Sequence, residues 1–150
     1  KVESPKRIRM HSEIGMHNPL YCTGVGKSLL AFSPPALVDE VVAEGLHPFT
    51  PRTITTRERL LEELAKIRKQ GYAVDDEEHE PDVFCVAAPI FDHRDEPIAS
   101  ISITVPKWRL NEERVAEMAK LVVEATADIS RELGHNPQTR KSDGRRPQAR

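Results

Sequence analysis

Apolar residues recur at helical spacing in four stretches of this chain, and shorter apolar runs fill the gaps between them. Residues 23–32 read as a short apolar helix, with Thr23 placed as its cap and Gly24 and Gly26 in its first turn. Ser33-Pro34 reads as an N-cap followed by proline at the first helical position. Leu37, Val38, Val41 and Val42 then share one face up to Gly45. Thr55-Thr56-Arg57-Glu58 matches a capping box, after which Leu60, Leu64 and Ile67 repeat at helical spacing until Gly71. The last helix is expected to open at Asn111. It would carry Val115, Met118, Val122, Ala125, Ile129 and Leu133 on one stripe and stop at Gly134.

Strands are expected between the helices. Residues 8–14 alternate weakly, and residues 71–74 lead into an acidic block. Residues 83–91 and 98–105 are the clearest strands, joined by a polar loop of hairpin size. The pairing is therefore at least partly antiparallel, which favours an α/β chain of the α+β type over a doubly wound parallel sheet.

The two faces of that hairpin differ. Phe84, Val86, Ala88 and Ile90 share a face on the first strand, as Ile101, Ile103 and Val105 do on the second. Pairing the large apolar residues leaves Cys85, Ala87, Ser100, Ser102 and Thr104 together on the other side. Small residues leave room there and hydroxyls supply hydrogen bonds, as a binding pocket needs. A solvent-facing sheet surface would show the same residue types.

The hydrophobic share of 38% and charged share of 31% suit a globular protein of one domain, and the longest apolar run is too short to span a membrane. A first residue other than Met leads to the expectation of a fragment of a longer protein, and no signal peptide is expected. Two cysteines, Cys22 and Cys85, make no disulfide framework and fit a reducing cytoplasm. A net charge of −2 gives no field for holding nucleic acid over the whole surface. Residues 135–150 carry one apolar side chain, Ala149, and are expected to be a disordered basic tail.

Candidate chemistry is sparse. Cys22-Thr23-Gly24-Val25-Gly26-Lys27-Ser28 fails as a nucleotide loop, because Tyr21 stands where a Walker A motif needs glycine. A helix starting near Gly24 still presents free N–H groups to an anion, although Thr23 capping and close packing would explain the glycines equally. Asp75-Asp76-Glu77-Glu78-His79-Glu80 lacks the pattern of a calcium loop and reads as a solvated acidic turn. The six histidines show no zinc spacing, so no metal is expected. Nothing nominates a base for Cys85, and no catalytic set or cofactor is expected.

Four strings in register go further. Leu20-Tyr21-Cys22-Thr23-Gly24-Val25-Gly26-Lys27-Ser28-Leu29-Leu30-Ala31 is followed by Gly71-Tyr72-Ala73-Val74-Asp75-Asp76-Glu77-Glu78. Cys85-Val86-Ala87-Ala88-Pro89-Ile90-Phe91-Asp92 and Ala99-Ser100-Ile101-Ser102 come next. Together they resemble the C-terminal effector-binding domain of IclR-type bacterial transcription regulators, from about residue 8 to residue 133. The resemblance implies a GAF-like domain over residues 1–134, with a curved antiparallel sheet flanked by helices. It also implies an N-terminal winged helix-turn-helix domain absent from this chain. The implied partners are a small-molecule effector (a carboxylate or aromatic acid), further copies in a homodimer or homotetramer, and DNA through the absent domain only.

Residue by residue, Gly24 and Val25 resemble the family's backbone-amide site, Asp75 its pocket aspartate and Cys85 its pocket cysteine. Ser102 and Thr104 stand where it places two strand hydroxyls, and Met10 would lie in an apolar wall. Gly24 and Ser28 stand where alanine is frequent in the family, and Asp82 where glycine is frequent. An enzyme using Cys85 and Asp75, or an assembly module without a ligand, are the rival expectations.

Overall fold

The computed structural model describes Val2 and residues 15–136 of the chain. The expected strand at 8–14, Met10 and residues 137–150 of the expected tail lie outside the described residues. In chain order the elements are α1 (Gly24–Leu30), α2 (Pro35–Glu44), α3 (Arg57–Gln70), β1 (Ala73–Asp76), β2 (Val83–Phe91), β3 (Pro97–Pro106), a 3₁₀ turn (Lys107–Arg109) and α4 (Glu112–Glu132).

The three strands form one antiparallel sheet in the order β1-β2-β3. Phe84 lies opposite Val105, Val86 opposite Ile103, and Ala88 opposite Ile101, so the large apolar residues do share a face. α4 covers that face with Met118, Ala119 and Val122. The helices α1, α2 and α3 cover the other side around a second core built on Leu30, Val38, Leu60, Leu64, Ile67 and Ala73. The sheet is thus the middle of three layers.

Local signals set most helix ends. Thr23 accepts a hydrogen bond from the Gly26 amide at the start of α1, and Asn111 accepts one from the Arg114 amide at the start of α4. Gly71 closes α3 in the left-handed region at φ 85°, where a side chain would be strained. Two caps differ from expectation. Pro34, not Ser33, is the residue before α2, and the Ser33 hydroxyl donates back to the Leu29 carbonyl instead. At α3 the cap is Thr56, which accepts from the Arg59 amide, so the expected Thr55–Glu58 pairing does not frame the helix start.

The stripe on α4 also differs. Met118 and Val122 are buried as expected, but Ala125, Ile129 and Leu133 are exposed, and Thr126 and Ser130 take the inward positions. The reason lies in β2. Beside a register shift at Ile90/Phe91, the Phe91 amide donates to the Ser130 hydroxyl at 2.9 Å, and that hydroxyl donates on to the Thr126 carbonyl. A buried backbone donor needs a partner more than this helix end needs another apolar contact. Among the described residues no helix is long and apolar enough to cross a membrane.

Candidate functional site

The face of the sheet under α1 gathers the expected residues in rows. Asp75, Cys85 and Thr104 lie side by side across the three strands, and Ala73, Ala87 and Ser102 form the next row. Alternation along each strand puts these residues on one side, so the register alone brings them together. Met10 lies outside the described residues; Gly24, Asp75, Cys85, Ser102 and Thr104 come together here, and Val25 follows Gly24 on α1.

The start of α1 sits directly above. A Cβ added at Gly24 would come within 2.8 Å of the Cys85 sulfur and 3.4 Å of the Ala87 Cβ. A side chain at this position would have to displace the Cys85 sulfur, so glycine lets the helix backbone lie close on the sheet. The Thr23 hydroxyl takes the Gly26 amide and donates to the Pro19 carbonyl. Among the described residues nothing accepts from the Gly24 and Val25 amides, which remain at the positive end of the helix.

One end of this face is closed. The Ser28 and Ser100 hydroxyls meet at 2.7 Å, and Ser100 also donates to the Ala88 carbonyl, so Ser100 fastens helix to sheet. At the other end Ser102 is exposed and Thr104 and Val25 are half-buried. Cys85 is buried, which pushes its thiol pKa up, while the Thr104 and Ser102 hydroxyls beside it pull the other way. A thiol held protonated is a poor nucleophile and a serviceable small lining group.

Asp75 and Glu78 correct the expectation of a solvated acidic turn, since both are buried. The Asp75 Oδ1 accepts from the Glu78 amide at 2.8 Å, folding the segment after β1 back on itself. Thr53 donates to the Glu78 carbonyl and Thr50 to the Glu77 carbonyl, each at 2.6 Å, pinning that turn from the loop before α3. Burial raises the Asp75 carboxyl and raises Glu78 to about 7; Lys27 opposes both shifts.

Lys27 is the residue that sequence reasoning missed. It has no solvent exposure, and its ammonium donates to the Val74 carbonyl at 2.6 Å and to Glu78 Oε1. The available signal was a lone lysine inside a helix otherwise made of glycine, serine and aliphatic residues. Its partners, 51 residues away in the case of Glu78, carry no local pattern.

A separate cleft of about 390 Å³ lies between α2, α3 and the end of α1, lined by Ala31, Phe32, Val38, Leu61, Leu64 and Arg68 among others. None of the expected site residues lines it. No group of three or more histidine, cysteine or acidic side chains is placed to hold a metal ion among the described residues.

Known proteins share both the sequence and the architecture. Residues 1–131 match the family model described as bacterial transcriptional regulator IclR C-terminal. The HTH-type transcriptional regulator KdgR of Escherichia coli (strain K12) is 41% identical over 138 residues, covering 91% of this chain and 52% of that protein. The crystal structure of the Thermotoga maritima IclR superposes with a TM-score of 0.84 at 44% identity, over 89% of this chain and 55% of that one. The inducer binding domain of the PobR transcription factor from Acinetobacter, a double mutant in complex with 3-hydroxybenzoic acid, superposes with a TM-score of 0.70 at 28% identity, over 88% of this chain and 77% of that one. The chain spans about half the length of the curated relatives it matches.

Proposed function

The chain belongs to the IclR family of bacterial transcriptional regulators, whose C-terminal model it matches, and on that premise we propose that it senses a small organic acid on the sheet face beneath α1. The observation that carries the proposal is the row of Asp75, Cys85 and Thr104 lying under a helix start whose Gly24 backbone approaches without a side chain.

In this reading the effector's carboxylate accepts from the Gly24 and Val25 amides, which point positive charge at it. Ser102 and Thr104 complete the hydrogen bonds, and Met10 adds an apolar wall. Asp75 would repel a second carboxylate, so it accepts from a ligand hydroxyl or holds a proton itself. Hydroxylated aromatic acids satisfy both demands. The 3-hydroxybenzoic acid bound by the Acinetobacter inducer binding domain is a compound of that kind. Nothing in the arrangement needs a cofactor or a reaction.

Regulation in this reading works through assembly. A winged helix-turn-helix domain preceding this one in the full-length protein binds DNA, and the effector favours one arrangement of a homodimer or homotetramer over another. Coupling of this kind is typically about 1–3 kcal/mol, or roughly 5–150-fold in affinity. Trp108 and Leu121, 62% and 50% exposed, are apolar enough to meet another copy. They also favour the second reading, an assembly module without a ligand.

Calorimetric titration with a panel of hydroxylated and plain aromatic acids, starting from 3-hydroxybenzoate, separates the two. Micromolar-range binding by at least one member is expected, and Asp75→Ala should weaken it about tenfold or more by removing a buried hydrogen-bond partner. Unchanged affinity in that variant would remove Asp75 from the site. No heat with any member supports the assembly reading instead.

A further inference from the structure

Lys27 lies on the buried side of α1 with Gly24, Gly26, Ser28 and Leu30, and has no exposed surface. A buried ammonium persists only where fixed acceptors and counter-charges replace water. Two of its acceptors bracket Asp75 in sequence: the Val74 carbonyl before it and the Glu78 carboxylate after it. The Glu78 amide, in turn, donates to Asp75. Lys27 therefore grips, from α1, the segment that carries Asp75.

The charges around it do not balance. Asp75 and Glu78 are buried beside this single ammonium, and Glu63 of α3 stands 3.5 Å from it at the rim. His79, four residues on, also acts on Asp75, and the Cys22 and Cys85 thiols lie within reach of the same charges. One carboxylate oxygen, Glu78 Oε2, is buried with no partner among the described residues. An ionised carboxylate tolerates that poorly, and a protonated one tolerates it better.

We propose that Lys27, Glu78 and Asp75 form a charge-setting unit beside the binding face, in which Lys27 positions Asp75 and the two carboxyls take up a proton as an anion binds. The proposal rests on the reading that the face receives an anionic effector. Burial already raises Glu78 to about 7 and raises Asp75 from its ordinary value, while Lys27 opposes both. A negative ligand arriving beside Asp75 raises both further. The anion is then admitted with its own proton, and the site favours acids more strongly as pH falls.

Two measurements on the whole chain test this. In the ligand-free protein, the Glu78 carboxyl is followed by carbon-13 NMR against pH, with Glu78→Gln identifying its signal. A midpoint near 7 is expected, and Lys27→Met should move it upward by about one unit or more as the opposing cation is lost. A midpoint in the ordinary glutamate range, or one indifferent to Lys27→Met, overturns the proposal. Should Lys27→Met fail to fold, the charge-free pair Lys27→Met with Glu78→Gln keeps the test open. It should fold and bind with a weaker pH dependence, Asp75 being the carboxyl left to titrate, and an undiminished pH dependence overturns the unit.

The second measurement is calorimetry with 3-hydroxybenzoate in two buffers of different ionisation heat. The dissociation constant should rise roughly tenfold from about pH 6 to about pH 8, with heats that differ between buffers. Glu78→Gln should reduce both. Binding with a flat pH profile and equal heats overturns the proton uptake. Absence of binding at every pH, for this and related acids, counts instead against the effector reading, and the NMR midpoint still decides the charge-setting unit.

Discussion

At the scale of single residues, Asp82 carries backbone strain: its φ of 62° lies in the left-handed region that glycine, which the resemblance led one to expect there, occupies without penalty. Aspartate tolerates this conformation better than most side chains, and here its carbonyl also accepts from the Lys107 amide at 2.8 Å. Asp82→Val should therefore destabilise the domain by about 1–2 kcal/mol in urea unfolding, with Asp82→Gly close to neutral. An unaffected valine variant would mean that the turn before β2 relaxes freely. That Cys85, Ser102 and Thr104 share a sheet face was legible for a simple reason: strand alternation is a local rule and needs no long-range knowledge. The burial of Asp75, Glu78 and Lys27 was not legible, because it depends on which distant segments fold over them. A run of acidic residues looks the same in sequence whether solvated or enclosed.

At the scale of elements, the four helices and three strands among the described residues were readable in existence and type, while caps and helix rotation were readable only in part. Thr23, Asn111 and Gly71 announce helix ends by their own chemistry. The Ser33 and Thr55 signals lost to neighbours one residue on, and a one-residue choice between adjacent hydroxyl or proline positions carries little energy. α4 shows a stronger effect. Its apolar pattern continues through Ala125, Ile129 and Leu133, yet Thr126 and Ser130 face inward, because the Phe91 amide is buried opposite them. Ser130→Ala should cost about 1–3 kcal/mol by leaving that amide unsatisfied. Ile129→Ser should stay within about 0.5 kcal/mol. Chemical denaturation of the two variants checks the rotation, and the reverse ranking would restore the stripe expected from sequence.

At the scale of the whole molecule, three layers leave one sheet face to α4 and the other to α1, α2 and α3, and the candidate site lies where α1 begins on the second face. Its charge-setting group links the site to global stability. Glu78 titrates at about 7 in the folded chain against an ordinary 4.5, so the folded state holds the extra proton across that interval. The stability this confers is complete below the ordinary glutamate range and is lost as pH rises through 7. Thermal unfolding between about pH 5 and about pH 8 should show the wild-type chain losing on the order of 2 kcal/mol relative to Glu78→Gln. Parallel curves would place the titration elsewhere.

Amide NMR of the chain titrated with 3-hydroxybenzoate decides whether an acid binds between the start of α1 and the Asp75–Cys85–Thr104 row. The largest shifts are expected at Gly24, Val25, Asp75, Cys85, Ser102 and Thr104. Shifts centred instead on the α2–α3 cleft around Phe32, Leu61 and Arg68 would contradict it.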